Sequence, residues 1–592
     1  MKVLLAAVNA KYIHSNLGIY SLKAYARKAL GIQEGGRASG PSPISIDLAE
    51  YTINHQTETI LQDIYKRKPD FIGFSCYIWN ISCIKALLPD IKKVLPNVQI
   101  WLGGPEVSYD GEQVLKDYPE AEGIMKGEGE SVFAQLLCAK MKGKPLSGVP
   151  GLLWRTSDEA IEDTGSCQLI DLDEIPFPYA AMDMKELEHR IIYYESSRGC
   201  PFSCSYCLSS IDKRVRFRSP ELVKEELSFF LKAHVPQVKF VDRTFNCKKS
   251  HAMAVWQYIL EHDNGITNFH FEIAADLLDE EELALLSAMR PGLIQLEIGV
   301  QSTNQRTLEA IRRKTDIGEI RRITSSINRG RNIHQHLDLI AGLPYEDLAS
   351  FRRSFNQVYS MEPEQLQLGF LKVLKGSYMG ETAASHRICY SSAPPYEVLS
   401  TRWLSYDDIL ELKGIEEMVE VYYNSRQFTT TIAYMEDLFD TPYQMFFHIS
   451  RYYQAHGLQE VSHSRLARYE ILFRMLEETV SPERLEILRD TMMTDLYLRE
   501  NIKKRPSFAR DQSEYKDRIR VFFEQEYAAP HYLTEYTGYD ARQMSKMAHI
   551  EVMGNGKMLL FDYKKRDPLT NNAIMYELQP ASGSDMTISS IH

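Results

Sequence analysis

The sequence predicts an α/β protein in three parts: an N-terminal Rossmann-like doubly wound parallel sheet, a central partial (β/α)6 TIM-like barrel and a mainly α-helical C-terminal domain. Three observations support this fold class. Short apolar runs alternate with helical patterns near the N-terminus, the same alternation resumes near residue 191, and strand-like runs become rare after residue 371. A chain of 592 residues is also too long for one hydrophobic core, so two to four domains are expected.

The N-terminal region contains five apolar runs with the length of buried strands: residues 3–8, 44–48, 71–75, 99–102 and 123–125. Between them, residues 17–30 and 81–94 carry apolar side chains at helical spacing. Continuous apolar strands separated by helices are typical of a parallel sheet covered on both faces. Ligands of such sheets bind beyond the carboxyl ends of the strands, so the loops that leave those ends are the candidate binding loops.

Four of these loops combine glycines with polar or aromatic residues. Glycine lets the backbone approach a large ligand closely. The candidate ligand contacts on the four loops are His14, Gly18, Ser75, Tyr77, Gly103, Gly104, Pro105 and Glu128.

A proline-containing acidic stretch over residues 170–179 separates the two α/β regions, because Pro176 and Pro178 exclude a helix there. We therefore expect an N-terminal domain over residues 1–145 and a linker over residues 146–185. The barrel is expected over residues 186–371 and the C-terminal domain over residues 372–592.

Six strand candidates follow the linker, at residues 191–195, 238–242, 270–273, 293–300, 334–340 and 365–371. Helical patterns separate them, as over residues 220–233, 249–262 and 280–289. Six strand-helix units predict a parallel, partly open barrel. Its active site is expected at the carboxyl ends of the strands.

Cys200, Cys204 and Cys207 form a CxxxCxxC pattern in the loop after the first barrel strand. Three thiolates at that spacing can hold three irons of a 4Fe-4S cubane, which leaves the fourth iron open to the amine and carboxylate of a small molecule. A structural zinc site normally has four protein ligands in paired groups, and no second pair lies nearby in the sequence. Nine cysteines in a long chain without a signal-peptide pattern favour a reducing compartment over a disulfide framework.

Tyr206, just before the last cysteine, and the preceding Ser-Arg-Gly make this loop resemble the cluster loop of the radical S-adenosylmethionine (SAM) superfamily. The resemblance implies a 4Fe-4S cluster whose open iron chelates SAM, reductive cleavage to a 5'-deoxyadenosyl radical, and a place for Tyr206 near the adenine. The other candidate SAM contacts lie at the strand ends: Asp242, Asn246, Glu272, Glu297, Gln301 and Gly342.

Carboxylates at strand ends can accept hydrogen bonds from the SAM amine and ribose hydroxyls. The resemblance implies that Asp242 to Asn246 contact the methionine part and that Glu297 or Gln301 contacts the ribose. Each residue could instead be an ordinary charged strand end.

The ordered N-terminal loops, followed by the cysteine motif, resemble the cobalamin-binding domain that precedes many radical SAM domains. The resemblance implies that Ser75 and Gly103-Gly104 cradle the nucleotide tail of cobalamin. The family's Asp-x-His-x-x-Gly pattern, whose histidine ligates cobalt, is missing, since His14 lies four residues before Gly18. We therefore favour a loop histidine with a satisfied hydrogen bond over a cobalt ligand. A Rossmann-like domain with an empty site is the alternative for the whole region.

The C-terminal region has amphipathic helical patterns over residues 407–422, 443–456, 464–478 and 482–497, and a few strands are expected within residues 550–578. The segments Leu371-Lys-Val-Leu-Lys-Gly-Ser377 and Ala393-Pro-Pro-Tyr396 resemble one subfamily of cobalamin-binding radical SAM proteins, whose C-terminal domain has no assigned function.

The preferred hypothesis is a cobalamin-dependent radical SAM enzyme that transfers a methyl group to an unactivated carbon of an unknown substrate. One alternative is radical rearrangement, cyclisation or electron transfer without methylation, and another is a cluster-bearing sensor or scaffold without SAM turnover. The expected partners are a one-electron donor such as flavodoxin or ferredoxin and a small-molecule or peptide substrate.

The charge and the apolar patterning of the sequence limit the cellular location and the partners that we expect. The net charge of −12 argues against a broad nucleic-acid surface. No apolar run approaches membrane-spanning length. The apolar N-terminus soon reaches Asn9 and Lys11, which predicts a buried strand instead of a signal peptide. A cytoplasmic protein without membrane contact is expected.

Overall fold

A computed structural model describes residues 1–32, 44–180, 183–567 and 570–578. Residues 181–182 of the predicted linker and residues 568–569 and 579–592 of the predicted C-terminal domain lie outside this described part. The chain divides into two compact units. The first comprises Met1–Ile333, Gly342–Glu346 and Phe370–Ser405, and the second comprises His334–Ala341, Asp347–Gly369 and Tyr406–His592.

The described residues form a mixed α/β fold, as predicted. The strands of the first half of the chain are β1 (Lys2–Asn9), β2 (Ser45–Thr52), β3 (Phe71–Ser75), β4 (Gln99–Gly103), β5 (Gly123–Met125), β6 (Leu152–Arg155), β7 (Ile161–Asp163), β8 (Ile192–Tyr194), β9 (Ser197–Arg198), β10 (Arg216–Phe217), β11 (Gln237–Phe240), β12 (Asn268–Ile273) and β13 (Ile294–Gln301). The later strands are β14 (His334–Ala341), β15 (Gln365–Phe370), β16 (Cys389–Tyr390), β17 (Val398–Ser400), β18 (Ala548–Val552), β19 (Met558–Arg566) and β20 (Ala573–Leu578).

The helices alternate with the strands as far as β15 and dominate after it. The earlier helices are α1 (Leu17–Leu30), α2 (Thr57–Arg67), α3 (Ile81–Val94), α4 (Pro105–Ser108), α5 (Gly111–Asp117), α6 (Gly129–Lys142), α7 (Asp183–Glu186), α8 (Pro220–Lys232), α9 (Lys249–Glu261), α10 (Glu280–Ser287), α11 (Gln305–Ala310), α12 (Ile317–Gly330), α13 (Leu348–Tyr359) and α14 (Tyr378–Thr382). The later helices are α15 (Tyr406–Val419), α16 (Thr429–Glu436), α17 (Pro442–Ala455), α18 (Arg465–Glu477), α19 (Pro482–Arg499), α20 (Lys516–Ala528) and α21 (Ala541–Met547).

The N-terminal sheet has the strand order β2-β1-β3-β4-β5-β6-β7. Its first five strands run parallel, as the apolar runs predict. The apolar runs predict no strand after β5, whereas the structure adds β6 and β7 as antiparallel strands. The short strand β7 is mostly exposed, so it leaves no apolar run in the sequence.

Helices cover both faces of this sheet. Ile72 and Phe74 of β3 share a buried cluster with residues of α2 and α3, while Phe71 of the same strand contacts Phe133 of α6, with their ring centroids 6.2 Å apart. Successive strand residues point to opposite faces, so this alternation explains why the whole strand is apolar.

The first unit also contains four parallel strands of the predicted barrel, in the order β8-β11-β12-β13. Their alternate residues, such as Phe240, Phe271 and Leu296, are buried. The residues between them, such as Lys239 and Glu272, are polar and half-buried. One face of this sheet therefore carries a polar surface. The other two predicted strands, β14 and β15, belong to the second unit.

The second unit is mainly helical, as predicted for the C-terminal part. Asp495 of α19 caps α16, because its carboxylate accepts hydrogen bonds from the amides of Thr430 (2.9 Å) and Thr431 (2.7 Å). An antiparallel sheet of β18, β19 and β20 packs on a separate apolar cluster that includes Phe523 and Tyr536. None of the helices in the described ranges combines the length and apolar composition that crossing a membrane requires.

Candidate functional site

The three predicted cluster ligands lie together in a compact loop after β8. Cys200 and Cys204 are buried, Cys207 is half-buried, and all three are free thiols. The hydroxyl of Ser210 donates to the carbonyl oxygens of Cys204 (2.9 Å) and Cys207 (2.7 Å). This serine therefore fixes the turn that carries two of the three thiols.

The loop is closed by a backbone approach that only glycine allows. Gly199 has φ +101°, and a Cβ there would lie 2.6 Å from the carbonyl oxygen of Arg214. The short strands β9 and β10 pair on either side, with Arg198 opposite Arg216. The amide of Cys200 donates to the carbonyl of Asp212 at 3.2 Å. Gly199 is the glycine of the Ser-Arg-Gly segment that precedes the cysteines, and this close approach explains why glycine is required there.

The electrostatics of the loop suit a cationic metal group. Burial, followed in smaller part by the neighbouring thiols of Cys207 and Cys204, raises the pKa of Cys200. Arg313 approaches this set, with its Nη1 3.7 Å from the Sγ of Cys204. Three thiolates at this site need a positive group to stabilise them, which an iron-sulfur cluster supplies. The donor set therefore fits a cluster held by three cysteines.

Asp242 and Asn246, predicted as methionine contacts, are both engaged with the chain. The buried carboxylate of Asp242 accepts hydrogen bonds from the hydroxyls of Ser196 (2.7 Å) and Ser197 (2.6 Å), and burial raises its pKa to about 6. The side-chain amide of Asn246 donates to the carbonyl of Ala274 (2.9 Å) and accepts from its amide (3.0 Å). In this structure both residues shape the walls beside the cluster loop.

Glu272 and Glu297 are neighbours in register on β12 and β13, yet their environments differ. Burial works to raise the pKa of Glu297, but the hydrogen bond from His270 (3.0 Å) and the ammonium of Lys239 (2.9 Å) hold it at about 2. Burial raises the pKa of Glu272 to about 7, although the charge of Arg243 opposes this. The polar face thus contains one fixed anion and one carboxyl that changes protonation near neutral pH.

Three of the predicted SAM contacts lie at strand ends or in the cluster loop: Gln301 ends β13, Gly342 directly follows β14, and Tyr206 lies between Cys204 and Cys207. Gln301 is buried in a left-handed conformation (φ 71°), and its Oε1 has no hydrogen-bond partner among the described residues. A buried acceptor without a partner is costly, so it suits a ligand hydroxyl. Burial raises the pKa of Tyr206, with Arg313 and Cys204 as its charged neighbours. At Gly342 (φ +91°) a Cβ would lie 2.6 Å from Val398.

The second and third N-terminal loops meet at the carboxyl edge of their sheet. A Cβ on Gly104 (φ +109°) would lie 2.5 Å from the carbonyl oxygen of Cys76, whereas one on Gly103 would make ordinary contacts at 3.6 Å. Pro105 then starts α4. The rings of Tyr77 and Trp79 stack at 4.3 Å, and Trp79 is 43% exposed. This exposed aromatic edge and the glycine cradle fit a large planar ligand.

Two buried contacts place the Ser75 loop against β1. The side-chain amide of Asn80 donates to the carbonyl oxygens of Ser75 (2.8 Å) and Val8 (3.0 Å). Ser75 ends β3, in register with Gly103 at the end of β4. The two residues that the resemblance assigns to the nucleotide tail are therefore neighbours in the sheet.

The first N-terminal loop contacts the first barrel strand. The Nδ1 of His14 and the hydroxyl of Tyr193 are hydrogen-bonded at 2.8 Å, and the amide of Ile191 donates to the carbonyl of Ile13 at 2.8 Å. Burial, with smaller contributions from Lys11 and Lys239, lowers the pKa of His14. A Cβ on Gly18 would lie 4.0 Å from the hydroxyl of Tyr77, so the first and second loops also meet.

Arg198, two residues before Cys200, joins the fourth loop to the cluster loop. Its guanidinium contacts Glu130 (2.8 Å), Glu128 (3.4 Å) and Glu195 (2.6 Å). Burial works to lower its pKa, but the carboxylates of Glu195 and Glu130 raise it well above the usual value. Glu128, predicted as a cobalamin contact, also pairs with Arg216. The pair of Arg198 and Glu130 could not be predicted from the sequence, because the two residues lie 68 positions apart and no local pattern links them.

Residues 371–379, which we call the strap, contact both sets of loops. The Nζ of Lys375 lies 2.8 Å from the Oδ2 of Asp110, just after the third N-terminal loop. The amide of Met379 donates to the carbonyl of Ser205 in the cluster loop at 2.8 Å. The guanidinium of Arg312 lies over the ring of Tyr378 at 3.4 Å. The strap thus holds the third N-terminal loop and the cluster loop in one arrangement.

Three family models match successive parts of this chain. They are a B12 binding domain over residues 3–137, the Radical SAM superfamily over residues 194–358, and a protein of unknown function, DUF4080, over residues 384–566. The first two matches contain the N-terminal loops and the cysteine loop, respectively.

Curated relatives agree with these matches. The chain is similar to the cobalamin-dependent radical SAM methyltransferase TokK of Streptomyces tokunonensis, with 28% identity over 48% of this chain and 44% of that protein. It is 25% identical to the uncharacterized methyltransferase PH0819 of Pyrococcus horikoshii, over 60% of this chain and 76% of that protein. It is 24% identical to an anaerobic magnesium-protoporphyrin IX monomethyl ester cyclase of Rubrivivax gelatinosus, over 54% of this chain and 58% of that protein. The chain therefore spans less than half the length of TokK.

Solved structures share the fold. The cobalamin-dependent S-adenosylmethionine radical enzyme OxsB with aqua-cobalamin bound has a TM-score of 0.59 at 15% identity, over 84% of this chain and 80% of that chain. The radical S-adenosylmethionine methyltransferase TsrM from Kitasatospora setae has a TM-score of 0.54 at 17% identity, over 66% of this chain and 77% of that chain. At these identities the likeness shows the fold alone.

The fold and the cysteine loop define the class: the chain carries a cobalamin-binding domain followed by a radical SAM domain. More particularly, it carries the DUF4080 domain after them, which confirms the subfamily resemblance. A radical SAM domain implies a 4Fe-4S cluster and SAM, and a B12 binding domain implies cobalamin. The three thiols, the buried Gln301 acceptor and the Gly104 cradle fit these groups.

Proposed function

We propose that this protein is a cobalamin-dependent radical SAM enzyme that transfers a methyl group to an unactivated carbon of its substrate. The observation that carries the proposal is the ion-pair network of Arg198, which joins the cysteine loop to the fourth loop of the cobalamin-binding domain within one compact unit. When bound, the cluster and SAM supply a 5'-deoxyadenosyl radical and cobalamin supplies the methyl group. The protein provides binding, orientation and shielding.

Different residues of this chain would bind the cluster and SAM. Cys200, Cys204 and Cys207 would hold three corners of the cluster, while Tyr206 and Gln301 would contact the adenosine part of SAM. Asp242, Asn246 and Gly342 would set the backbone around them. These assignments are supported by the buried thiols, the Gln301 acceptor without a partner and the engaged polar groups at the strand ends.

The polar face of the barrel strands would bind the substrate. Lys239, His270 and Glu297 form a hydrogen-bonded group there, and Glu272 lies beside Glu297. Such a face selects polar substrates, because an apolar group packed against these charged side chains would leave their remaining donors and acceptors without partners. A small molecule or a peptide can supply these partners, and an external donor such as flavodoxin or ferredoxin would supply the electron.

The cobalamin site would be built from the four N-terminal loops. Ser75, Gly103 and Gly104 would receive the nucleotide tail, and His14, Gly18, Tyr77 and Pro105 would line the approach to it. Glu128 would act through its ion pairs with Arg198 and Arg216, which tie the fourth loop to the cluster loop. The hydrogen bond between His14 and Tyr193 occupies one ring nitrogen, which supports a structural role for this histidine.

A second candidate function keeps the same groups but transfers no methyl group. Curated cyclases from three organisms, each named anaerobic magnesium-protoporphyrin IX monomethyl ester cyclase, are among the relatives of this chain. A radical cyclisation or rearrangement would use the same cysteine loop and the same SAM contacts. The mass of the product distinguishes the two, because methylation adds one methylene unit.

The direct test is anaerobic reconstitution of the full chain with iron, sulfide, cobalamin, SAM and a reductant. We expect 5'-deoxyadenosine from the wild type and none from a Cys204→Ala variant. Cys389→Ala is the matched control, because Cys389 is exposed on β16 and distant in sequence from the motif. Absence of 5'-deoxyadenosine from fully loaded wild-type protein would contradict the proposal. Methyl-labelled SAM supplied with a cell extract then reports methyl transfer by product mass.

A further inference from the structure

The second unit contains a cavity of about 530 Å³ at the start of α18 and the end of α19. Its wall includes Ser464, Arg465 and Arg468 from the first turn of α18, and Glu500 from the residue after α19. Cavities of 300 to 1,000 Å³ are typical of small-molecule sites. This one lies entirely within the DUF4080 part of the chain.

The charges around the cavity are mainly positive. Arg468 is half-buried and makes no ion pair within the described part of the chain. Arg465 pairs with Glu500, whose side chain is 59% exposed. Among the nine residues that line the cavity, Arg465 and Arg468 are cations and Glu500 is the one anion. Positive charge is therefore concentrated here, in a protein whose net charge is −12.

Backbone donors add to the side chains. Ser464 caps α18, and its hydroxyl accepts from the amide of Ala467 at 3.2 Å. The amides of Arg465 and Leu466, in the first turn, have no acceptor among the residues that the structure describes. The first turn of this 13-residue helix therefore offers two amide donors and the positive end of the helix dipole at a part of the cavity wall that Ser464, Arg465 and Leu466 line.

We propose that this cavity binds a phosphate group of a small phosphorylated molecule. Guanidinium groups bind phosphate oxygens in a two-pronged geometry, and amides at a helix N-terminus bind the same oxygens. The half-buried Arg468 provides the cation without a carboxylate partner. Glu500 would leave Arg465 when the anion enters, because its mostly exposed side chain is free to turn into solvent.

The test is calorimetric titration of the full chain with sodium pyrophosphate at constant ionic strength. We expect Arg465→Gln and Arg468→Gln to weaken binding at least ten-fold each, since hydrogen bonds to charged groups contribute on the order of 1.5–3 kcal/mol. Glu500→Gln removes the competing carboxylate and should strengthen binding several-fold. Arg520→Gln, on the exposed surface of α20, is the matched control and should change nothing.

Thermal melts of each variant show whether it is folded, and Arg468→Lys, which keeps the charge, should bind with intermediate affinity. Wild-type protein that binds no pyrophosphate, or an Arg468→Gln variant that binds it normally, would overturn the proposal. Weaker binding by Glu500→Gln would do the same. Citrate bound as tightly as pyrophosphate would overturn the assignment to phosphate. Single-stranded RNA bound in preference to pyrophosphate would overturn the assignment to a small molecule.

Discussion

At the scale of single residues, the cysteine motif identifies the candidate ligands, whereas buried charged residues orient the loop that carries them. The three cysteines are identified by spacing alone, but the groups that orient their loop are far apart in sequence. Arg198 contacts Glu130 across 68 positions, and Arg313 approaches Cys204 across 109 positions. Such pairs leave no local pattern, so the sequence predicts the ligands and not the residues that position them.

Arg198→Lys should loosen the cluster loop, because lysine keeps the charge but cannot contact Glu130, Glu128 and Glu195 together. We expect a loss of about 2 kcal/mol of stability and a lower iron content after reconstitution. Thermal melts and iron analysis measure both. Arg214→Lys is the control, since Arg214 is 70% exposed and pairs only with Asp212 among the described residues. Equal iron content in the two variants would show that the network does not position the loop.

Glu272 should make stability depend on pH. Its pKa is raised from 4.5 to about 7 by burial, so the folded protein prefers the protonated form. The stabilising contribution of the protonated Glu272 carboxyl is complete below pH 4.5 and is lost as the pH rises through 7. A pKa shift of this size corresponds to about 3 kcal/mol of unfolding free energy at most. Relative to Glu272→Gln, the wild type should therefore become less stable across this range. Thermal melts at several pH values measure the difference. Parallel profiles for the wild type and Glu272→Gln would refute this, and the exposed Glu281→Gln is the control.

At the scale of elements, the parallel strands of both α/β regions were predictable, whereas the two antiparallel strands β6 and β7 were not. Each of β1, β3 and β4 is an apolar run because helices cover both of its faces. The edge strand β7 has an exposed Glu162 and Asp163, so its sequence resembles a loop. Hydrophobic periodicity predicts β11 and β12 as strands, but it does not predict that their polar residues form the polar face of the candidate site.

Gly104→Ala should disrupt the cradle between the second and third N-terminal loops. A Cβ at φ +109° is strained, and it would lie 2.5 Å from the carbonyl oxygen of Cys76. We expect a loss of about 1–3 kcal/mol of stability and weaker cobalamin binding, measured by thermal melts and by absorbance titration. Gly148→Ala is a matched control, because its Cβ would meet no atom within 4 Å and its φ is not positive. Equal cobalamin affinity in both variants would argue against the cradle.

The strap should couple the third N-terminal loop to the cluster loop. Lys375→Met removes the contact with Asp110, and Tyr396→Phe removes the hydrogen bond to Glu106. We expect faster hydrogen exchange in the strap, residues 371–379, and about ten-fold weaker cobalamin binding in the double variant. Lys557→Met, which breaks an exposed pair with Glu577, is the control. Unchanged exchange in the strap would show that these contacts do not hold it.

At the scale of the whole molecule, the fold class was predictable because two alternating α/β regions and one helical region follow each other along the chain. The three family matches fall on the same three regions. Substrate choice was not predictable, because on our proposal it would depend on the shape and on the charges of the polar face. Neither is written in a short motif, and the matched curated methyltransferase TokK shares only 44% of its length with this chain.

The most direct test of the central claim is electron paramagnetic resonance of the anaerobically reconstituted, reduced protein with and without SAM. If Cys200, Cys204 and Cys207 hold a cluster with one open iron, the spectrum of the reduced cluster should change on addition of SAM, and a Cys207→Ser variant should lose this response. A protein that contains only zinc, or a cluster whose spectrum is the same with and without SAM, would contradict the account.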